Sequence, residues 1–157
     1  MEKKDKYIKL ISEIRSVLEG ERDIIANMAN VSSMLHEAFG FWWTGFYRVF
    51  SAQENQELLV LGPFQGTLAC TRIGYGKGVC GTCWKNKVTI IVPDVHKFPG
   101  HIACSSLSNS EIVVPLWKDN VIIGVLDIDS KEYSCFDEVD AECLEEVCRL
   151  IIQNSDL

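Results

Sequence analysis

The hydrophobic spacing of this chain changes period near Trp42 and returns to its first period near Phe136. Before the change, Tyr7, Leu10, Ile11, Ile14, Val17 and Leu18 fall on one face of a helix that Gly20 ends. Ile24, Met28, Val31, Leu35 and Ala38 mark a second amphipathic helix, closed by Gly40. From Trp43 the pattern approaches a period of two. Residues 43–50, 58–61, 88–92, 112–117 and 121–128 are β-rich runs bounded by turn residues, among them Gly62-Pro63 and Lys118-Asp119-Asn120. A last helix runs from about Phe136 to Ile152. Two helices, a mostly antiparallel sheet with an irregular middle, and a closing helix constitute an α+β fold. No repeat, low-complexity tract or linker interrupts this order. Residues 1–157 therefore read as one domain, with N-terminal helices over 1–40, sheet and loops over 41–130, and the closing helix over 136–152.

A length of 157 residues suffices for one sizeable core. The net charge of −7 repels nucleic acid and anionic membrane at long range, so neither is expected as a partner. No apolar run approaches the roughly 18 residues of a spanning helix. The charged start, MEKKDK, is unlike a signal peptide, and a cytoplasmic protein is expected. Lys3, Lys4 and Lys6 read as a solvated helix face.

Seven cysteines demand an account. In a reducing compartment they are core packers, metal ligands or redox thiols, not a disulfide framework. Cys143 and Cys148 sit on apolar faces of the last helix and read as core; Cys135 carries no signal. Cys70, Cys80, Cys83 and Cys104 fall instead in the glycine-rich middle, 62–111, where loops can expose reactive groups. Cys80, Cys83, His101 and Cys104 give C-x2-C-x17-H-x2-C, close to a structural zinc spacing, and a zinc-stabilised module is one reading. Against it, the CxxC lies in GVCGTCW, which looks like the start of a short helix. Cys104 lies in a polar loop before a strand, the context of an accessible thiol. His101 could favour its thiolate, although a solvent-facing histidine is the simpler expectation.

Alternation places Val121, Ile123, Val125, Asp127 and Asp129 on one side of a strand. A three-residue turn at 118–120 would set Glu111 opposite Asp127 on that same side. A two-residue turn would set it opposite Ile128. In the first register three acids converge, which repulsion opposes unless a cation or protons are present.

These residues together resemble the free methionine-(R)-sulfoxide reductases, which are stand-alone GAF domains. The resemblance runs from about Trp42 to Ile152 and rests on WTGFY (43–47), LGPFQG (61–66), ACTRI (69–73), GKGVCGT (76–82) and DVH (94–96). It continues through FPGHIAC (98–104), SNSEIVVPL (108–116) and IGVLDIDS (123–130). It implies a six-stranded antiparallel sheet flanked by helices, paired as a homodimer. It also implies Cys104 as catalytic cysteine, Cys70 and Cys80 as resolving cysteines, and Trp43, Tyr47, Glu111, Asp127 and Asp129 as pocket residues. The reaction implied is thiol reduction of free methionine sulfoxide through a Cys104 sulfenic acid and an intramolecular disulfide, with NADPH-linked thioredoxin as external reductant and no bound cofactor or metal. The backbone N–H groups of 108–110 are assigned to the substrate carboxylate. Cys83 lies outside the family pattern. A GAF ligand or redox sensor without turnover is the alternative, though three cysteines so placed exceed what mere binding needs.

Overall fold

The computed structural model describes residues 1–51, 53, 56–101 and 107–157. Helices α1 (Lys3–Leu18) and α2 (Ile24–Phe39) lead into strands β1 (Trp43–Ser51), β2 (Glu57–Gln65) and β3 (Arg72–Gly74). Helix α3 (Gly78–Asn86), β4 (Ile90–Val92), β5 (Ser110–Lys118), β6 (Val121–Ser130) and α4 (Glu138–Gln153) follow. The strands form one antiparallel sheet in the order β3-β2-β1-β6-β5-β4. The fold is thus the α+β, six-stranded arrangement expected. No helix among the described residues is long and apolar enough to cross a membrane.

Pleating divides the sheet's side chains between two cores. Phe46, Ile112, Val114, Leu116, Leu126 and Ile128 pack under α1, α2 and α4. Tyr47, Leu59, Val113, Ile122 and Val125 point the other way, towards α3 and its loops. On α1, Val17 departs from its expected place on the buried face and is exposed. The lysine cluster also departs from a purely solvated face. Lys3 Nζ donates to Asp140 Oδ2 at 2.7 Å, and Tyr7 Oη donates to Asp140 Oδ1 at 2.6 Å. Asp140 is buried and closes a capping box with Asp137 at the start of α4, so this network fastens α1 to α4.

Gly62 and Pro63 lie within β2 and do not end it. Gly45 pairs with Phe64 and Tyr47 with Leu61, so two residues of β2 face Phe46 alone. A bulge of this kind tolerates proline, because the extra residue stands outside the ladder.

The β5–β6 hairpin differs from both registers considered above. Lys118 pairs with Val121 across a two-residue turn, in which Asp119 and Asn120 have φ of 49° and 64°, as a type I′ turn requires. Trp117 then pairs with Ile122, but Leu116 pairs with Gly124. Ile123 is the extra residue, and it packs towards the helical core, off the face that alternation assigns it. Beyond it Glu111 stands opposite Asp129, and Val113 opposite Asp127. The turn alone would have put Glu111 across from Ile128; the bulge restores it to the side of the acids.

Helix α3 lies close on β3. A methyl group at Gly81 would come within 2.5 Å of the Gly74 carbonyl oxygen, a backbone atom that cannot step aside. Gly81→Ala is expected to lower stability by roughly 1–3 kcal/mol through overpacking. A fall in the urea midpoint at unchanged slope checks this; an unchanged midpoint contradicts it.

Candidate active site

Three neighbouring strands present the site as rows of side chains. Trp43, Asp129 and Glu111 form one row across β1, β6 and β5; Gly45, Asp127 and Val113 form the next; Tyr47 and Val125 follow. Glycine at 45 leaves space over the middle row, since a methyl there would lie 2.6 Å from the Trp43 ring. The Trp43 indole fills that space, stacked on Phe64 at 5.3 Å and on Tyr47 at 6.0 Å between centroids.

These rows floor a pocket with about 520 Å³ of empty space, a figure that includes space open to solvent. Five of the expected substrate residues line it, namely Trp43, Tyr47, Glu111, Asp127 and Asp129, together with Cys80. The pocket also takes in His101, Ser108 and the segment Lys77–Val79 at the start of α3. Sequence reasoning left Lys77 and Val79 out of the site. A glycine-bracketed lysine at a helix start (Gly76-Lys77-Gly78) was the signal available for them. The N–H groups of residues 108–110 do not all fit their assigned role. Asn109 donates its own to Ser130 O at 2.8 Å, and Ser110 is a ladder residue of β5 paired with Ser130.

The carboxyl groups dominate the electrostatics. Glu111 and Asp127 are buried, and Asp129 is half-buried. Burial pushes the pKa of Glu111 well above the carboxylate range, and Asp127 and Asp129 raise it further. Burial and Asp127 do the same to Asp129, opposed by the Ser108 hydroxyl, which donates to Asp129 Oδ1 at 2.8 Å. Asp127 is raised less, because Glu111 and Cys80 hydrogen-bond its charged form. Its Oδ1 atom has no partner among the described residues. Together these groups favour a shared proton or a cation among them.

His101 is not solvent-facing. Its side chain is 16% exposed, and Nε2 lies 3.7 Å from Glu111 Oε1. Burial lowers its pKa and raises that of Glu111, and both shifts weaken this approach as an ion pair.

Cys70 is disulfide-bonded, whereas Cys80, Cys83, Cys135, Cys143 and Cys148 are free. Two pocket aromatics hold the loop before it. Trp43 Nε1 donates to Thr67 O, and Tyr47 Oη to Cys70 O, each at 3.0 Å. Cys80 faces the pocket, and burial with the nearby acids pushes its thiol pKa well up. Cys83, one helical turn on, is fully buried in the apolar core. The zinc spacing therefore misleads. Among the described residues, Cys80, Cys83 and His101 do not form one metal-sized group. Cys104 lies outside the described residues, as does most of its loop.

The GAF domain profile matches residues 22–153. GAF domain-containing protein A of Dictyostelium discoideum is 54% identical over 95% of this chain and 92% of its own length. The free methionine-R-sulfoxide reductase of Saccharomyces cerevisiae is 45% identical over 90% of this chain and 81% of its own. The chain belongs to the free methionine-R-sulfoxide reductase family of GAF domains. In structure it is similar to the free methionine-R-sulfoxide reductase of Neisseria meningitidis solved with its substrate. That TM-score is 0.93 at 48% identity, covering 98% of this chain and 90% of that one.

The energetic cost of keeping these acids together is measurable. Each carboxyl pKa is raised by folding, so the folded protein keeps protons that the unfolded chain releases above about pH 4. Stability must then fall as pH rises from there through the raised folded values. Glu111→Gln removes one charge and should melt higher than the parent at pH 8, with the gap closing towards pH 4. Thermal unfolding across that range checks it; a gap independent of pH contradicts the electrostatic origin.

Proposed function

We propose that this protein reduces free methionine (R)-sulfoxide to methionine. The observation that carries the reading is the trio Glu111, Asp127 and Asp129, with an Asp127 oxygen that has no partner among the described residues, in one pocket with stacked Trp43 and Tyr47 and near disulfide-bonded Cys70. The names of the relatives supply the substrate and its epimer. The substrate ammonium answers the Asp127 oxygen and its neighbours, while the S-methyl group lies against the aromatic rings. The substrate carboxylate is read by the unbonded N–H groups of the first turn of α3, with Lys77 alongside.

In the reaction, the Cys104 thiolate attacks the sulfoxide sulfur, and a protonated carboxyl, Glu111 or Asp129, delivers its proton to the poor leaving oxygen. Oxygen passes to Cys104 as a sulfenic acid, and methionine leaves with its sulfur reduced by two electrons. The Cys70 thiol then displaces water from that sulfenic acid to form a disulfide, and a dithiol reductant of the thioredoxin class restores both thiols by exchange. Cys70 resolves ahead of Cys80, since Cys70 carries a disulfide while the Cys80 thiol is buried and strongly held protonated. The reading includes action in the cytoplasm and pairing of two chains.

Two experiments test this. With thioredoxin, thioredoxin reductase and NADPH, the wild type should turn over free methionine sulfoxide, and Cys104→Ser should not. Cys70→Ser should still release about one methionine per site in a single turnover while losing most recycling, because attack and resolution are separate steps. Near-normal multiple turnover by Cys104→Ser would sink the assignment. The second experiment compares free with N-acetyl methionine sulfoxide. Acylation removes the ammonium and leaves buried acids unpaired, a loss of about 2–5 kcal/mol, or roughly 30- to several thousand-fold in kcat/KM. Comparable values for the two would show that the acids do not read the amino group.

A further inference from the structure

The substrate-free pocket presents a group of atoms that the reductase reading does not fully use. Cys80 Sγ, a Glu111 carboxyl oxygen and an Asp127 carboxyl oxygen all lie within 4.8 Å of one another, and all three residues are buried. Asp127 Oδ1, buried and without a hydrogen-bond partner among the described residues, belongs to this group's central residue. His101 Nε2 adds an imidazole 3.7 Å from Glu111 Oε1. From these atoms we infer that the reduced, substrate-free protein binds one borderline divalent cation of the zinc class at Cys80, Glu111 and Asp127, in competition with the substrate ammonium.

The donor set suits that class. Thiolate and imidazole ligands select zinc-like ions over magnesium or calcium, and carboxylates complete a mixed tetrahedral shell. Bonds of roughly 2.0–2.3 Å place tetrahedral ligands about 3.5 Å apart, inside the 4.8 Å that bounds the separations of these three atoms. Cys80 comes from α3, while Glu111 and Asp127 come from adjoining strands of the sheet, so the ion would bridge helix and sheet. Binding displaces the Cys80 thiol proton and the proton held among the carboxyls, so affinity must rise with pH. The cation supplies the positive charge that the buried acids otherwise obtain from protons or substrate. Metal binding itself stands apart from the proposed activity; only the competition rests on it.

Co2+ serves as a spectroscopic probe. Protein reduced with a phosphine is titrated with Co2+, then with Zn2+, and folding of each variant is verified by circular dichroism. The expected result is one Co2+ per chain with a thiolate-to-metal charge-transfer band in the near ultraviolet, displaced by Zn2+. Cys80→Ser should abolish the band, Cys83→Ser should keep it, and Asp127→Asn should weaken binding at least about tenfold. A band that survives Cys80→Ser, or that is lost with Cys83→Ser or Cys104→Ser alone, would overturn the site. So would binding unaltered by Asp127→Asn or independent of pH. Free methionine sulfoxide should raise the apparent Zn2+ dissociation constant. Its failure to do so overturns the competition while the spectra still decide the metal site, and reductase activity without metal is assayed separately.

Discussion

Three carboxyl groups on one face of two adjoining strands can remain there only if something positive stands among them. Everything else in the site follows from that constraint. A lone buried carboxylate is costly, and three mutually repelling ones are more so. Burial favours protons on these groups, and one Asp127 oxygen has no partner among the described residues. Burial and mutual repulsion keep this site out of electrostatic balance, and the proposed selectivity for a free amino group is the other side of that imbalance. The same deficit explains why one pocket can be read both as an ammonium site and as a trap for a borderline metal ion.

The walls are arranged around that floor. Gly45 clears the space in which the Trp43 indole lies, and Gly81 lets α3 settle on the β3 backbone with Cys80 turned towards the acids. Trp43 and Tyr47 line the pocket and use their polar atoms to hold the loop that ends at Cys70. The side chains assigned to the substrate's methyl group are thus the same ones that fix the position of the disulfide-bearing residue.

Much of this was legible beforehand. Hydrophobic period located α1, α2, α4 and most strands, because burial of a face is a many-residue property, while GVCGTCW looked like the start of the short helix that α3 is. The acids were recognisable because Asp127 and Asp129 extend an apolar strand face. Other parts were not legible. Strand β3 has three residues and no pattern to read. The continuation of β2 through Gly62-Pro63 depends on a bulge that no local propensity encodes. Cys80 and Cys83 have the spacing of metal ligands, yet helical geometry and packing send one to the pocket and the other to the core. His101 looked like a surface residue because it lies in a loop that runs on into the polar stretch 105–111, whereas its neighbours in space are the acids.

The bulge at Ile123 has a bearing on how this hairpin can change over time. Hairpin turns at the surface ordinarily accept insertions and deletions, since their ends stay fixed while the tip varies. Here the tip is coupled to the chemistry by parity. Loss of Ile123, or gain of one residue in the Asp119–Asn120 turn, would send Glu111 to the opposite face from Asp127 and Asp129. A change of two residues would preserve their company. Lineages descended from such a chain should therefore show even-numbered length changes between Leu116 and Gly124, and an odd one would mark a copy that has abandoned the acidic trio and whatever it serves.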